Sequence, residues 1–188
     1  AVDAVCSEVA RRNRSGRFRR WIHGANTVDG IISRANTDLS AYSRVVQRLR
    51  RRYAQELSLL SAGAPTPAHL QACFSQLANT HAPAVALRIL RQLVFERLVV
   101  MDCCEQADLS VITHAMTDLA EFSLDIAFSE AQRQLAERHG TPQLVGDEQA
   151  LLWIVGMGKL GARELNVSSD IDLIYVYNAD GETRGLDD

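Results

Sequence analysis

Asp170 and Asp172 stand two residues apart at the head of the apolar run Leu173-Ile-Tyr-Val-Tyr177, and ten residues separate them from Gly158-Lys159. Successive side chains on a strand point to opposite faces, so a strand carrying both acids projects them on the same side. Two carboxylates held close repel and raise each other's pKa unless a cation sits between them. The cation suited to such a pair is Mg²⁺, a hard ion that takes a few carboxylates together with phosphate oxygens. Upstream lies the glycine turn Gly156-Met-Gly-Lys-Leu-Gly161, which carries Lys159, the single lysine of the chain. Backbone N–H groups at such a turn reach phosphate oxygens, a helix start adds a favourable field, and Lys159 adds a full positive charge. Acids, glycines and lysine together spell a metal-phosphate site.

The same glycines support a rival reading. Gly156, Gly158 and Gly161 follow an apolar run and precede a helical stretch, which is the spelling of a dinucleotide-binding fingerprint, and Asp180 stands at roughly the distance of a ribose contact. The physical objection is that residues 156 to 170 are close to the minimum for a parallel crossover. The next strand would also open with two acids inside a sheet covered on both faces, where unpaired carboxylates are costly.

The elements that must hold this segment are mostly helical. Leu39, Tyr42, Val45, Val46, Leu49, Tyr53, Leu57 and Leu60 recur at spacings of three and four, which predicts one helix capped by Asp38 and ended by Ser61-Ala-Gly-Ala-Pro65. Arg44, Arg48, Arg51 and Arg52 fall on its other side. Thr66-Pro67 opens a second helix with Leu70, Cys73, Phe74 and Leu77 turned inward. A third starts near Pro83 and runs to Met101; a fourth starts near Asp108 or Ser110, buries Ile112, Ala115, Leu119, Phe122, Ile126 and Leu135, and stops at Gly140-Thr-Pro142. Beyond a polar linker, Gln143 to Gln149, Leu151-Leu-Trp-Ile-Val155 reads as a buried strand, the glycine turn leads into a short helical stretch reaching Leu165, and Ile171 to Tyr177 reads as a second strand. The expected class is α+β, mostly α, with a helical domain over residues 1–142 and the start of an α/β domain over 143–188.

Composition narrows the function classes. An apolar fraction of 47% over 188 residues can fill a core. No apolar run reaches the roughly 20 residues of a bilayer crossing, and no basic-then-apolar leader opens the sequence, so neither membrane insertion nor secretion is expected. Cys6, Cys73, Cys103 and Cys104 have no framework spacing, which fits reduced thiols in the cytoplasm, and the absence of a starting Met fits an interior piece of a longer chain. His69 and Cys73, four apart, have no second ligand pair and read as a surface histidine beside a core thiol. The net charge of −3 hides a division: residues 1–97 carry fifteen arginines against six acids, residues 98–188 five basic residues against seventeen acids. The cluster Arg11, Arg12, Arg14, Arg17, Arg19 and Arg20, with Phe18 and Trp21 between, has no nucleic-acid motif beside it and reads as a solvated or protein-docking face.

The glycine turn followed after ten residues by D-x-D resembles the nucleotidyltransferase signature of the DNA polymerase beta superfamily. More closely, the run from Ile154 to Ile174, with Gly-Met-Gly-Lys-Leu-Gly, Glu-Leu-Asn-Val-Ser-Ser and Asp-Ile-Asp in order, resembles the glutamine synthetase adenylyltransferase family. That likeness is strongest from Leu151 to Tyr177; Ala162 and Val167 stand where the family has Gly and Phe. The family's enzymes attach AMP to a tyrosine of glutamine synthetase and remove it, using two nucleotidyltransferase halves. The wording here is similar to the half that removes AMP by phosphorolysis with orthophosphate. The resemblance implies that Asp170 and Asp172 are catalytic and hold Mg²⁺, that Gly156, Gly158, Lys159, Gly161 and Ser169 bind the phosphates of a nucleotide such as ATP, and that Ser168 shapes the loop. It further implies glutamine synthetase and the nitrogen signal protein PII as partners, and a third carboxylate on a later strand, Asp187 and Asp188 lying too close to a turn to supply it. On that view the domain is truncated and inactive alone. A dinucleotide-binding oxidoreductase and a non-catalytic helical module that binds a regulator are the alternatives; for Ser168 and Ser169 the plain alternative is that they only cap the turn.

Overall fold

A computed structural model of the chain describes residues 38–144 and 150–183. Cys6, the Arg11–Arg20 cluster, most of the expected linker, Asp187 and Asp188 lie outside the described residues. The order is a 3-10 turn (Leu39–Tyr42), α1 (Arg44–Arg52), a second 3-10 turn (Glu56–Leu59), α2 (Pro67–Ala78), α3 (Pro83–Cys103), α4 (Leu109–His139), β1 (Pro142–Gln143), β2 (Leu152–Gly156), α5 (Gly158–Gly161), β3 (Leu173–Tyr177) and β4 (Glu182–Thr183). The fold is α+β and mostly α.

Three helix boundaries follow their local chemistry. The Thr66 hydroxyl accepts from the His69 N–H at 3.3 Å, with Pro67 at the first helical position. Pro83 likewise stands at the start of α3, after Ala82 and without a side-chain cap. Gly140, at φ +80°, ends α4 in a conformation that side-chain-bearing residues avoid. The expected single helix from Asp38 to Leu60 is instead three pieces. The Asp38 carboxylate accepts from both the backbone N–H and the hydroxyl of Ser40, and Ser43 turns extended to cap α1 through the Val46 N–H. Short polar side chains have outcompeted the helical ladder there. Arg50 locks the arrangement, donating to Asp38 Oδ2 at 2.5 Å, Ser40 Oγ at 2.7 Å and Glu96 Oε1 of α3 at 2.6 Å. Hydrogen bonds from Ser40 and then Arg50 hold the Asp38 carboxyl well below the usual carboxylate range. Leu39 and Tyr42, expected inside, are exposed as a result.

The core joins α2, α3 and α4 through Leu70, Phe74, Leu77, Leu90, Leu93, Val94, Leu98, Ile112, Met116 and Leu119. Phe74 and Phe122 meet edge to face, ring centres 5.6 Å apart. Leu135 was expected in this core but lies beyond the packed part of the 31-residue α4 and is exposed.

β2 and β3 pair antiparallel, with Gly156 opposite Leu173 and Leu152 opposite Tyr177; β1 and β4 form a separate two-residue antiparallel pair. Dinucleotide-binding folds need parallel neighbours joined by a crossover, so this pairing overturns the oxidoreductase reading. Asp180, its expected ribose ligand, accepts a hydrogen bond from the Tyr177 hydroxyl at 3.1 Å in the turn after β3. Nor is β2 the buried strand its apolar sequence suggests. It begins at Leu152 rather than Leu151, and Trp153 and Val155 keep 48% and 44% of their surface exposed, because among the described residues β3 is its sole strand neighbour.

The glycine turn is seated on the helical core. Its helix is a single turn, α5, and does not extend to Leu165 as expected. Leu160 and Leu165, flanking the turn's exit, are 5% and 3% exposed and belong to the same cluster as α2 to α4. Burial of each contributes about 2 kcal/mol. The Leu165 N–H donates to the hydroxyl of the buried Thr117 of α4 at 3.3 Å. A Cβ at Gly161 would run into the carbonyl oxygen of Gly156, so the turn can fold back on β2 only with hydrogen at that place. Gly158 is at φ +53° with open space around it.

Two stability measurements check this description. Burial pushes the Cys73 thiol up to about 11 from an ordinary value of 9.0. The unfolded chain ionises this thiol first, so the stability of the neutral buried form is intact below pH 9 and is lost as pH rises towards 11. Guanidinium denaturation of Cys73→Ala is expected to show a flatter alkaline decline than the parent; an equal decline counts against it. For the turn, Gly158→Ala is expected to cost about 1–2 kcal/mol from its left-handed backbone alone. Gly161→Ala is expected to cost more, since backbone must move, and the reverse order in denaturation midpoints would contradict the close approach.

Candidate functional site

The ladder of the β2–β3 hairpin continues one step past its last pair. The Met157 N–H donates to the Asp172 carbonyl at 3.0 Å, directly beyond the Gly156–Leu173 register. The glycine turn and the segment carrying both acids therefore leave the same end of the hairpin, tied at their base. The acids differ from expectation in one respect: β3 begins at Leu173, so Asp170 and Asp172 precede the strand rather than sit on it. The main chain through residues 169–172 belongs to no regular element, and both acids are exposed.

On the glycine side, the Met157 carbonyl accepts from both the Leu160 and Gly161 N–H groups at 3.2 Å, and the Gly158 carbonyl accepts from Ala162. The N–H groups of Gly158 and Lys159 stand outside this pattern. A four-residue helix carries little macrodipole, so the expected field of a helix start is reduced here to those amides and the Lys159 charge. Lys159 is exposed and makes no ion pair among the described residues. The loop between turn and acids is closed by the Ser169 N–H donating to the Asn166 carbonyl at 3.1 Å, with Ser168 exposed and Ser169 half-buried.

The donor set suits Mg²⁺. Asp170 and Asp172 offer hard oxygens, and among the described residues no arginine, lysine or hydrogen-bond donor engages either carboxylate. Mg²⁺ is commonly held by one or two carboxylates plus substrate phosphates and water, which is what these two acids beside free amides can provide. Among the described residues no cluster of three or more His, Cys, Asp or Glu side chains is placed to hold a metal. His69 and Cys73 form no such group either. The Cys73 thiol is fully buried in the core, and His69 Nδ1 is buried without a hydrogen-bond partner among the described residues.

The structure adds residues that the sequence did not single out. Arg163, in the turn after α5, donates to Asp118 Oδ1 at 2.5 Å and to Glu121 Oε1 and Oε2 at 2.6 and 2.8 Å, both acids on α4. Those contacts, Glu121 foremost, raise the guanidinium pKa further. Beside this clamp a cleft of about 490 Å³ opens between α4 and β2, with Phe128, Trp153 and Leu160 in its walls. Asp170 and Asp172 are outside it. The one signal that could have flagged the clamp is the spacing of Asp118 and Glu121, three apart on one helix face, in a chain whose glycine turn is followed one residue later by an arginine.

Comparison with known proteins follows the same segment. Residues 24–188 match the family described as glutamate-ammonia ligase adenylyltransferase. Relatives described as bifunctional glutamine synthetase adenylyltransferase/adenylyl-removing enzyme include one from Ralstonia nicotianae, 44% identical over 155 residues, which is 77% of this chain and 16% of the relative. One from Bordetella pertussis is 46% identical over 132 residues, 64% of this chain and 14% of its own length. Another, from Burkholderia mallei, is 48% identical over 100 residues, 53% of this chain and 11% of its own. The chain thus spans less than a fifth of each of these relatives. By the extent of the family match and the identity across more than three quarters of its length, the chain belongs to the glutamate-ammonia ligase adenylyltransferase family.

Proposed function

We propose that this chain supplies the glycine turn and the paired acids of a nucleotidyltransferase site that acts on glutamine synthetase, and that the site is the one removing AMP from a modified tyrosine. The observation carrying this reading is the bond between the Met157 N–H and the Asp172 carbonyl, which ties the phosphate-facing turn and the acids to one end of one hairpin. Family membership supports the substrate, and the run Gly156 to Asp172 supports the direction. In this reading residues 1–142 form a helical domain and residues 143–188 begin the nucleotidyltransferase domain. The nitrogen signal protein PII is the regulator, ATP serves the opposite reaction, and the enzyme works in the cytoplasm.

The chemistry is exchange at the α-phosphorus of the AMP group. An orthophosphate oxygen forms a bond to that phosphorus, the bond to the tyrosine oxygen breaks, the phenolate takes up a proton, and ADP is released. Bound Mg²⁺ supplies charge neutralisation for the entering and leaving oxygens. The residues of this chain bind and orient. Asp170 and Asp172 hold the ion with their carboxylates. The Gly158 and Lys159 N–H groups and the Lys159 ammonium bind phosphate oxygens, Gly156 and Gly161 let the turn approach the strand closely enough to present them, and Ser169 adds a hydroxyl from a loop that Ser168 helps to shape. Such prearranged donors are effective because they need no reorganisation as charge moves.

The test uses the longest natural polypeptide that contains this chain, given adenylylated glutamine synthetase, Mg²⁺ and orthophosphate. ADP release is expected from the parent and is expected to be abolished in Asp170→Asn, which keeps the shape of the side chain but not its charge. Undiminished release in that variant refutes the assignment.

A further inference from the structure

Arg163 is held in an unusual way for an exposed arginine. Its backbone is left-handed, at φ +57°, a conformation that a residue with a side chain adopts when its surroundings hold it there. The guanidinium forks, with Nη1 on both carboxylate oxygens of Glu121 and Nη2 on Asp118, two acids three apart on one face of α4 and more than forty residues away in sequence. Its main chain is knitted into the phosphate-facing turn: the Arg163 N–H donates to the Leu160 carbonyl at 3.0 Å, and the next N–H, of Glu164, donates to the Lys159 carbonyl at 2.8 Å. A displacement of Arg163 is therefore passed directly to Leu160 and, through the adjoining Glu164 N–H, to Lys159.

Stability is not what this clamp chiefly supplies. Exposed ion pairs contribute little to folding, and the turn is already anchored by the buried Leu160 and Leu165. Burial of two leucines has no direction of its own, so apart from the Leu165–Thr117 bond it leaves the rotation of the turn to other directional contacts. A planar fork gripping two carboxylates fixes that rotation, because the guanidinium can meet both acids in one orientation only.

We infer that Arg163 is a positioning residue: clamped to Asp118 and Glu121, it sets the angle at which the Gly158 and Lys159 amides face the acids Asp170 and Asp172. This rests on the function proposed above.

The experiment compares Arg163→Gln, the pair Asp118→Asn/Glu121→Gln, and all three changes together, in the longest natural polypeptide that contains the chain. Misplacing a positioning group costs on the order of 100-fold in turnover, and that loss in kcat/KM for orthophosphate is expected for Arg163→Gln and for the α4 pair, with melting midpoints unchanged. The triple variant is expected to be no worse than either, since all break the same clamp. Full turnover in either folded variant, or losses that multiply in the triple, would overturn the inference. If Arg163→Gln fails to fold, the α4 pair, which leaves the turn's sequence intact, is judged by turnover alone. A parent that releases no ADP sinks the proposed function instead. The inference is then decided by amide exchange at Gly161 and Glu164 in this chain: faster exchange in the variants supports it, and equal exchange overturns it.

Discussion

Everything at the proposed site depends on where the β2–β3 hairpin ends. Its register brings Gly156 opposite Leu173, and one further hydrogen bond joins Met157 to Asp172. Fourteen residues, 158 to 171, the one-turn α5 followed by irregular chain, leave and return across that single closing contact. The glycine turn and the segment that carries the acids are thus neighbours by construction. A shift of one residue in the pairing would move Asp172 away from Met157 and turn every side chain of β3 to the other face. Hairpin register is the constraint that converts a spelling in the sequence into a place in space.

Above that constraint, two kinds of anchor divide the work. Leu160 and Leu165 seat the excursion on the helical core by burial, which has magnitude but no direction. The Arg163 fork and the Thr117 hydroxyl supply direction with little burial. The long α4 serves both: its first four turns complete the core with Ile112, Ala115, Met116 and Leu119, and its Thr117, Asp118 and Glu121 reach the excursion. The helical part is therefore the platform on which the glycine turn rests.

What could be read from the sequence divides along the same line. Helices α2, α3 and α4 were legible because their ends are written locally, in Thr66-Pro67, Pro83 and Gly140. The glycine turn and the paired acids stand out in the sequence by residue type and spacing, and the structure brings their main chains to one end of the hairpin. The first helix was not, because its break depends on Arg50 reaching Glu96, forty-six residues on, and on serines whose preference for capping shows no period. The burial of β2 was misjudged because an apolar strand records what it could pack against and not what lies next to it. Arg163 was overlooked because its partners lie on another element, and nothing adjacent in sequence marks a long-range clamp.

The same hairpin has a colloidal side. Among the described residues, β2 and β3 pair solely with each other, so each presents an outer row of backbone donors and acceptors, flanked by half-exposed Trp153, Val155, Ile174, Tyr175 and Val176. Open, partly apolar borders of this kind invite an extended peptide to add itself as another strand. No lysine or proline within either strand guards those borders. In an isolated preparation of this chain, those open borders are the surfaces on which strand-to-strand association would begin.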